Sequence, residues 1–174
     1  MPTRGLILVY TGRGKGKTTA ALGMAFRSLG HELPVCIIQF IKGTWKYGEL
    51  LSARRFDDLL DLHVAGRGFT RKAKDLEEHR HAAVRGWELA REVIASGRHH
   101  LVILDEFTHV LNLGMVDKEE VREVLAQKPE HLHVLITGRD APAFLSEMAD
   151  LVTEMREVKH PYKAGIKAQK GIEF

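Results

Sequence analysis

The stretch Thr11-Gly12-Arg13-Gly14-Lys15-Gly16-Lys17-Thr18-Thr19 constrains this chain more than any other. It lies between the apolar run Gly5-Leu6-Ile7-Leu8-Val9-Tyr10 and a helix-forming segment that begins at Thr19. Closely spaced glycines let a backbone approach an anion and turn its N–H groups inward, and the positive N-terminal end of the following helix adds to the attraction. Lys17 supplies a point charge for phosphate, and the Thr18 hydroxyl stands where a Mg²⁺ ligand is wanted. The common spacing of such loops, Gly, four residues, then Gly-Lys-Ser/Thr, needs glycine at position 11. Here that residue is Thr11, the glycine is shifted to Gly12, and Lys15 is added. The strand-loop-helix order that the motif requires is present.

Length and composition fit one domain: 174 residues, 44% hydrophobic and 28% charged, are ordinary globular material with a sizeable core, so residues 1–174 are read as a single unit. A formal net charge of +3 suits an anionic small molecule as well as a nucleic acid and does not choose between them. The one cysteine, Cys36, sits in the apolar run Val35-Cys36-Ile37-Ile38 and is expected to be a buried, inert thiol. No apolar run reaches about eighteen residues and no charged-then-apolar leader is seen, so the expectation is a cytoplasmic protein without a membrane span.

Four apolar runs recur, Leu6 to Tyr10, Val35 to Ile41, Leu101 to Leu104 and Leu132 to Ile136, with shorter candidates at Leu60 to Val64 and Leu151 to Thr153. They lack polar alternation, as strands buried on both faces of a parallel sheet do. Between them, residues 17 to 29 place Ala21, Leu22, Ala25, Phe26 and Leu29 on one helical face and stop at Gly30, where a helix C′ glycine is expected. Residues 72 to 96 space Leu76, Ala83, Trp87, Ala90 and Ile94 helically and end before Gly97. Strands alternating with helices predict an open, mostly parallel α/β sheet flanked by helices, with ligands at the carboxyl ends of the strands.

Leu101 to Leu104 run into Asp105 and Glu106, two carboxylates at a strand end. An acid there completes a Mg²⁺ site in nucleotide-binding α/β domains, on a strand expected beside the phosphate loop, or it caps a helix starting near Phe107. Because strand side chains alternate, only one of the pair faces a metal if the strand runs through both. Arg139, after Ile136-Thr137-Gly138, reaches the ligand crevice or is solvated. Phe69, in the loop Gly66 to Arg71, stacks on a flat ligand or packs locally. Arg156 to Phe174 reads either as a basic tail or, given Ile166, Ala168, Ile172 and Phe174, as a loop organised by ligand. Ten histidines occur, several in close pairs, yet none forms a convincing ligand set.

Taken together, Tyr10 to Ala21, Gln39-Phe40-Ile41-Lys42-Gly43, Leu104-Asp105-Glu106, Thr137-Gly138-Arg139, and Ala149-Asp150-Leu151-Val152-Thr153-Glu154-Met155 followed by Lys159-His160-Pro161 resemble the P-loop ATP:corrinoid adenosyltransferases. The likeness covers nearly the whole chain. It implies a RecA-like P-loop domain, a homodimer, and transfer of the 5′-deoxyadenosyl group of ATP to the Co(I) form of a corrinoid with release of triphosphate, in adenosylcobalamin biosynthesis or salvage. By resemblance Gly12, Arg13, Gly14, Lys15, Gly16, Lys17, Thr18 and Thr19 hold ATP, in the reverse sense along the loop from other P-loop proteins. Lys15 and Lys17 then stabilise the leaving triphosphate. Thr18 and Glu106 bind Mg²⁺, which favours Glu106 over Asp105, Arg27 helps to hold the nucleoside, and Phe69 lies on the corrinoid side. A reductase supplying electrons to cobalt is an implied partner. The sequence departs from the family at Arg71, where many members have tryptophan, and in having only four residues before Gly5, where many carry a longer segment that covers the active site. The rival readings are a small P-loop kinase or ATPase that passes on the γ-phosphate, a nucleic-acid module, for which only the diffuse basic patch Arg67, Arg71, Lys72 and Lys74 speaks, and a corrinoid carrier without turnover.

Overall fold

The computed structural model describes residues 4–41, 47–66 and 73–173, with the backbone alone at 73–76. Six strands, β1 (Ile7–Thr11), β2 (Val35–Gln39), β3 (Leu60–Val64), β4 (Leu101–Asp105), β5 (His133–Thr137) and β6 (Leu151–Glu154), form one sheet in the order β3-β2-β4-β5-β1-β6. Every pairing is parallel, so all six strands deliver their carboxyl ends to one edge. The register puts Gln39 beside Asp105 and Tyr10 beside Thr137 on that edge.

The missing polar alternation of the central strands has the predicted cause: each face of the sheet carries its own core. Ile7, Val9, Ile38, Val102, Leu104, Val134 and Ile136 point to one side, where α3 (Ala73–Ser96), α4 (Phe107–Asn112), α5 (Lys118–Ala126) and α6 (Ala143–Met148) supply Trp87, Phe107, Leu111, Leu125 and Leu145. Leu8, Val35, Ile37, Leu101, Ile103 and Leu135 point to the other, against Ala21, Ala25 and Leu29 of α1 (Lys17–Leu29). A short helix, α2 (Gly48–Ala53), precedes β3 on the sheet's far edge. Cys36 is buried in the first of these cores, and desolvation pushes its thiol up to about 12, which leaves it inert at neutral pH.

Three expectations need correction. The acidic strand does not adjoin the phosphate-loop strand, because β5 intervenes between β4 and β1. The two still meet in space because α1, leaving the end of β1, packs across β5 and β4 and carries its first turn to the end of β4. Phe26 is not on the buried face of α1 but 70% exposed, while Ser28 takes a buried place. Gly30 does not supply a left-handed helix end: its φ is −64°, and Glu32 makes the left-handed turn at φ 58°. The strand ends at Asp105, Glu106 turns left-handed at φ 59°, and a helix starts at Phe107, so the alternation of strand side chains does not extend to Glu106. Phe107 fixes that turn from beneath, fully buried with its ring 5.2 Å from that of Trp87 and 4.7 Å from that of Phe40. Such aromatic pairs contribute about 1 kcal/mol each beyond the area they bury.

Candidate active site

The loop from Gly12 to Gly16 folds around its own lysine. Lys17 Nζ donates to the carbonyls of Gly12 at 2.7 Å and Gly14 at 2.8 Å and is 6% exposed. Burial lowers its pKa, opposed by the negative charges of Glu106, Asp105 and Asp140 and reinforced by Arg139. The ammonium thus sits at the centre of the loop before any phosphate arrives. Gly16 takes a left-handed φ of 113° at the start of α1, where no side chain caps the helix, so first-turn N–H groups face the loop as anion donors.

The other two glycines answer a different demand. A Cβ on Gly12 would stand 2.5 Å from the Met155 carbonyl oxygen, and one on Gly14 2.6 Å from the same atom. The chain after β6 runs directly over the loop and is bonded to it, with Gly14 N–H donating to Met155 O at 2.6 Å and Met155 N–H donating to Thr11 O at 2.8 Å. Small residues are therefore required for close backbone passage as well as for phosphate. Farther on, Glu173 forms an ion pair with Lys15. The segment that the sequence left open between tail and ligand loop thus returns to the phosphate loop.

At the strand ends a hydrogen-bond network joins three strands to α1. Asp105, 1% exposed, accepts on Oδ1 from Thr18 Oγ1 at 2.9 Å and from Thr137 Oγ1 at 2.7 Å, and on Oδ2 from Gln39 Nε2 at 3.4 Å. Thr137 Oγ1 in turn accepts from Glu106 N–H at 2.9 Å, which ties the position of Glu106 to the same network. With its proton spent on Asp105, Thr18 presents oxygen lone pairs outward, the form in which a hydroxyl binds a hard cation. Glu106 lines the cavity next to it. Gln39 Oε1, buried beside this group, has no hydrogen-bond partner. A hydroxyl and a carboxylate in the cavity wall are oxygen donors that fit Mg²⁺, with the remaining coordination left to phosphate and water. Among the described residues no group of three or more His, Cys, Asp or Glu could hold a metal without such help.

The loop opens on a cavity of about 700 Å³. Lys15, Lys17, Thr18, Glu106 and Arg139 line its polar end, while Leu22, Phe26, Phe56, Leu60 and Leu62 make an apolar wall from α1, β3 and the turn before β3. His160, Gly171, Ile172 and Glu173 close it from the carboxyl-terminal segment. A second hollow of about 600 Å³ lies on the other side of the loop and shares Arg13 and Arg139 with the first.

Of the residues singled out in the sequence, Arg13, Gly14, Lys15, Gly16, Lys17, Thr18, Thr19, Glu106 and Arg139 line the larger cavity, and Gly12 lines the second. Arg27 does not line either; it is exposed on α1. Phe69 and Arg71 lie outside the described residues. No site role for Phe26, Gln39, Thr137 or Glu173 follows from the sequence. Phe26 had an apolar residue's signal but the wrong face, and Gln39 had a weak one, as a polar residue closing an otherwise apolar strand.

An all-parallel sheet with a lysine-filled phosphate loop after its first strand, and with a threonine bound to an acid at another strand end, defines a P-loop nucleotide-binding domain. Residues 3–174 match the family model described as ATP:corrinoid adenosyltransferase BtuR/CobO/CobP, and the chain belongs to that family. It is 44% identical to a corrinoid adenosyltransferase of Sinorhizobium sp over 173 residues, spanning 98% of this chain and 81% of that one. The corresponding protein of Pseudomonas aeruginosa is 43% identical over 171 residues, 98% and 84% of the two chains. That of Escherichia coli K12 is 41% identical over 176 residues, 98% and 86%.

Proposed function

We propose that this protein transfers the 5′-deoxyadenosyl group of ATP to the Co(I) centre of a corrinoid and releases triphosphate. The observation that carries the reading, beside the family match, is that the phosphate loop and an apolar wall share one undivided cavity. A triphosphate and a large, partly apolar second substrate can then meet without a protein intermediate. The Co(I) electron pair attacks the ribose 5′ carbon, the new Co–C bond forms as the C–O bond breaks, and that bond's electron pair leaves with the triphosphate oxygen. No activated protein nucleophile is needed, and the buried thiol of Cys36 does not serve as one.

The protein's contribution is to align the two substrates and to stabilise charge growing on the leaving group. Lys17 moves from the loop carbonyls to the phosphates, Lys15 exchanges Glu173 for phosphate, and Arg139 stands at the same end of the cavity. Mg²⁺, when bound, neutralises triphosphate charge and orients its oxygens. Thr18 and Glu106 would hold it, and Asp105 aims the Thr18 hydroxyl by accepting its proton. Resemblance to the family extends the reading to a homodimer in the cytoplasm, supplied with reduced cobalt by a reductase and working in adenosylcobalamin biosynthesis or salvage. No helix among the described residues is long and apolar enough to cross a membrane.

The test is anaerobic incubation with ATP, Mg²⁺ and a chemically reduced corrinoid. Formation of the adenosylated corrinoid by absorbance, with stoichiometric triphosphate, is expected. ADP with a phosphorylated acceptor would establish γ-phosphate transfer instead.

A further inference from the structure

Thr11 stands where the common phosphate-loop spacing has glycine. Its side chain has a use that glycine could not serve. Thr11 Oγ1 accepts a hydrogen bond from Ala141 N–H at 3.1 Å, and Gly138 N–H donates to Tyr10 O at 3.2 Å, so the end of β1 holds both ends of the turn that follows β5. Helix α4 holds the middle of the same turn. Thr108 Oγ1, on a residue with no solvent exposure, donates to Arg139 O at 2.6 Å, and Asn112 Nδ2 donates to Asp140 O at 2.9 Å. The turn passes so close to Thr108 that a Cβ on Gly138 would stand 2.1 Å from its Oγ1. Asp140 takes a left-handed φ of 49°, a conformation that costs free energy and persists only where the surroundings fix it. The side chain this turn carries into the site is Arg139. It lines both hollows, its charge is felt at Lys17, and among the described residues its guanidinium is engaged in no hydrogen bond or ion pair. A cation on a long side chain serves a developing charge well only when the backbone beneath it is already in place.

We propose that Thr11 and Thr108 are positioning residues for Arg139: from the phosphate loop and from α4 they fix the turn Gly138 to Asp140, so that the guanidinium is presented to the phosphates of ATP at the polar end of the cavity. The inference rests on the ATP half of the functional reading above. It adds two residues that touch no phosphate, and it gives the threonine in place of the usual loop glycine a physical reason.

The probe is inorganic tripolyphosphate, the leaving group without its nucleoside, titrated by calorimetry into the full chain in EDTA so that no metal takes part. Arg139→Ala is expected to weaken binding about tenfold, as loss of a charge-assisted contact does. Thr11→Val and Thr108→Val, which remove a hydroxyl at nearly constant volume, are each expected to weaken it about three- to fivefold, and Thr108→Ser, which keeps the donor, to stay within about twofold of wild type. Made in the Arg139→Ala background, either valine change should add less than about twofold, because residues that act through a shared partner are not additive. The same loss in both backgrounds would mean that the threonines merely support the loop, and it would overturn the proposal. Wild-type affinity in Arg139→Ala, or in either valine variant, would overturn it too. If Thr108→Val does not fold, the Thr11→Val pair of titrations decides alone by the same criterion. Failure of the wild-type chain to bind tripolyphosphate would remove the phosphate-loop reading and the proposal together. The expected pattern of affinities without adenosylated corrinoid in the transfer assay would remove the adenosyltransferase reading and leave the proposal standing.

Discussion

Replacing Asp105 with asparagine separates the metal-site geometry from the fold. The carboxylate accepts two hydroxyl hydrogen bonds and one amide bond in a site sealed from solvent. In Asp105→Asn the amide oxygen can still take both hydroxyls, but each bond loses its charge assistance, a loss of roughly 1 kcal/mol apiece. The new NH₂ faces Gln39, whose amide can turn so that its unpartnered oxygen becomes the acceptor, which replaces the bond that Nε2 gives up. The net destabilisation is therefore about 2 kcal/mol, roughly 4–8 °C in melting temperature for a domain of this size. Function should suffer more, because the negative charge that draws the Thr18 proton away from the metal side is gone. Turnover is expected to fall about 10- to 100-fold. Glu106→Gln, which alters a carboxylate in the cavity wall, should shift the Mg²⁺ concentration for half-maximal rate further than Asp105→Asn does. The assays are thermal denaturation followed by circular dichroism and initial rates across a Mg²⁺ titration. An Asp105→Asn protein with wild-type rates at every Mg²⁺ concentration would refute the claim that this carboxylate positions Thr18. The reverse ranking of the two variants would make Asp105 the metal ligand.

Lys17→Ala should lose about 3 kcal/mol of leaving-group stabilisation, two or more orders of magnitude in turnover, with circular dichroism unchanged, and near-normal turnover in a folded variant would remove the loop from the mechanism. Gly14→Ala would press a methyl group to 2.6 Å from Met155 O and 2.7 Å from the Arg156 carbonyl carbon, both backbone, so a loss of about 1–3 kcal/mol in urea denaturation is expected, and wild-type stability would show that the crossing is loose. Burial lowers the folded-state pKa of His133, helped by His100 and Lys128, and burial also lowers those of His100 and His109. The unfolded chain therefore takes up these protons first, and stability should decline as pH falls from about 6.5 toward the lowered folded values, by at most about 1.4 kcal/mol per pH unit per group; a flat profile between pH 7.5 and 5.5 would contradict it. Phe69→Ala should slow corrinoid-dependent turnover while leaving ATP affinity within about threefold, and equal losses in both, with cobalt supplied as Co(I) or as Co(II) plus reductant, would return Phe69 to the core or the nucleotide site.

The fold was legible because burial on both faces leaves a plain trace: Val35, Ile37 and Leu101 serve one core and Cys36, Ile38 and Val102 the other, so the runs carry no polar alternation. The phosphate loop was legible because its chemistry is local, with Lys17 closing on Gly12 and Gly14 only a few residues away. What escaped depends on partners distant in sequence. The Asp105–Thr18 bond spans β5, and no local pattern shows that α1 crosses that strand. Phe26 obeys helical spacing yet lines an open cavity, because periodicity reports a face and not what covers it. Helix α5 carries local signals: Asp117 Oδ1 accepts from Glu119 and Glu120 N–H, and Val121 and Leu125 stand one turn apart on its buried face.

The crossing of Met155 over Gly14 has a consequence for synthesis. On the ribosome the loop from Gly12 to Lys17 emerges early, but the backbone that clasps it, and the strand β6 that covers the open side of β1, are translated long afterwards. Until then β1 is an uncovered edge, and Gly14 N–H has no Met155 carbonyl to meet. A nascent chain can pair β2 with β4 while its nucleotide site is unfinished, so competence for ATP waits for the segment that follows β6.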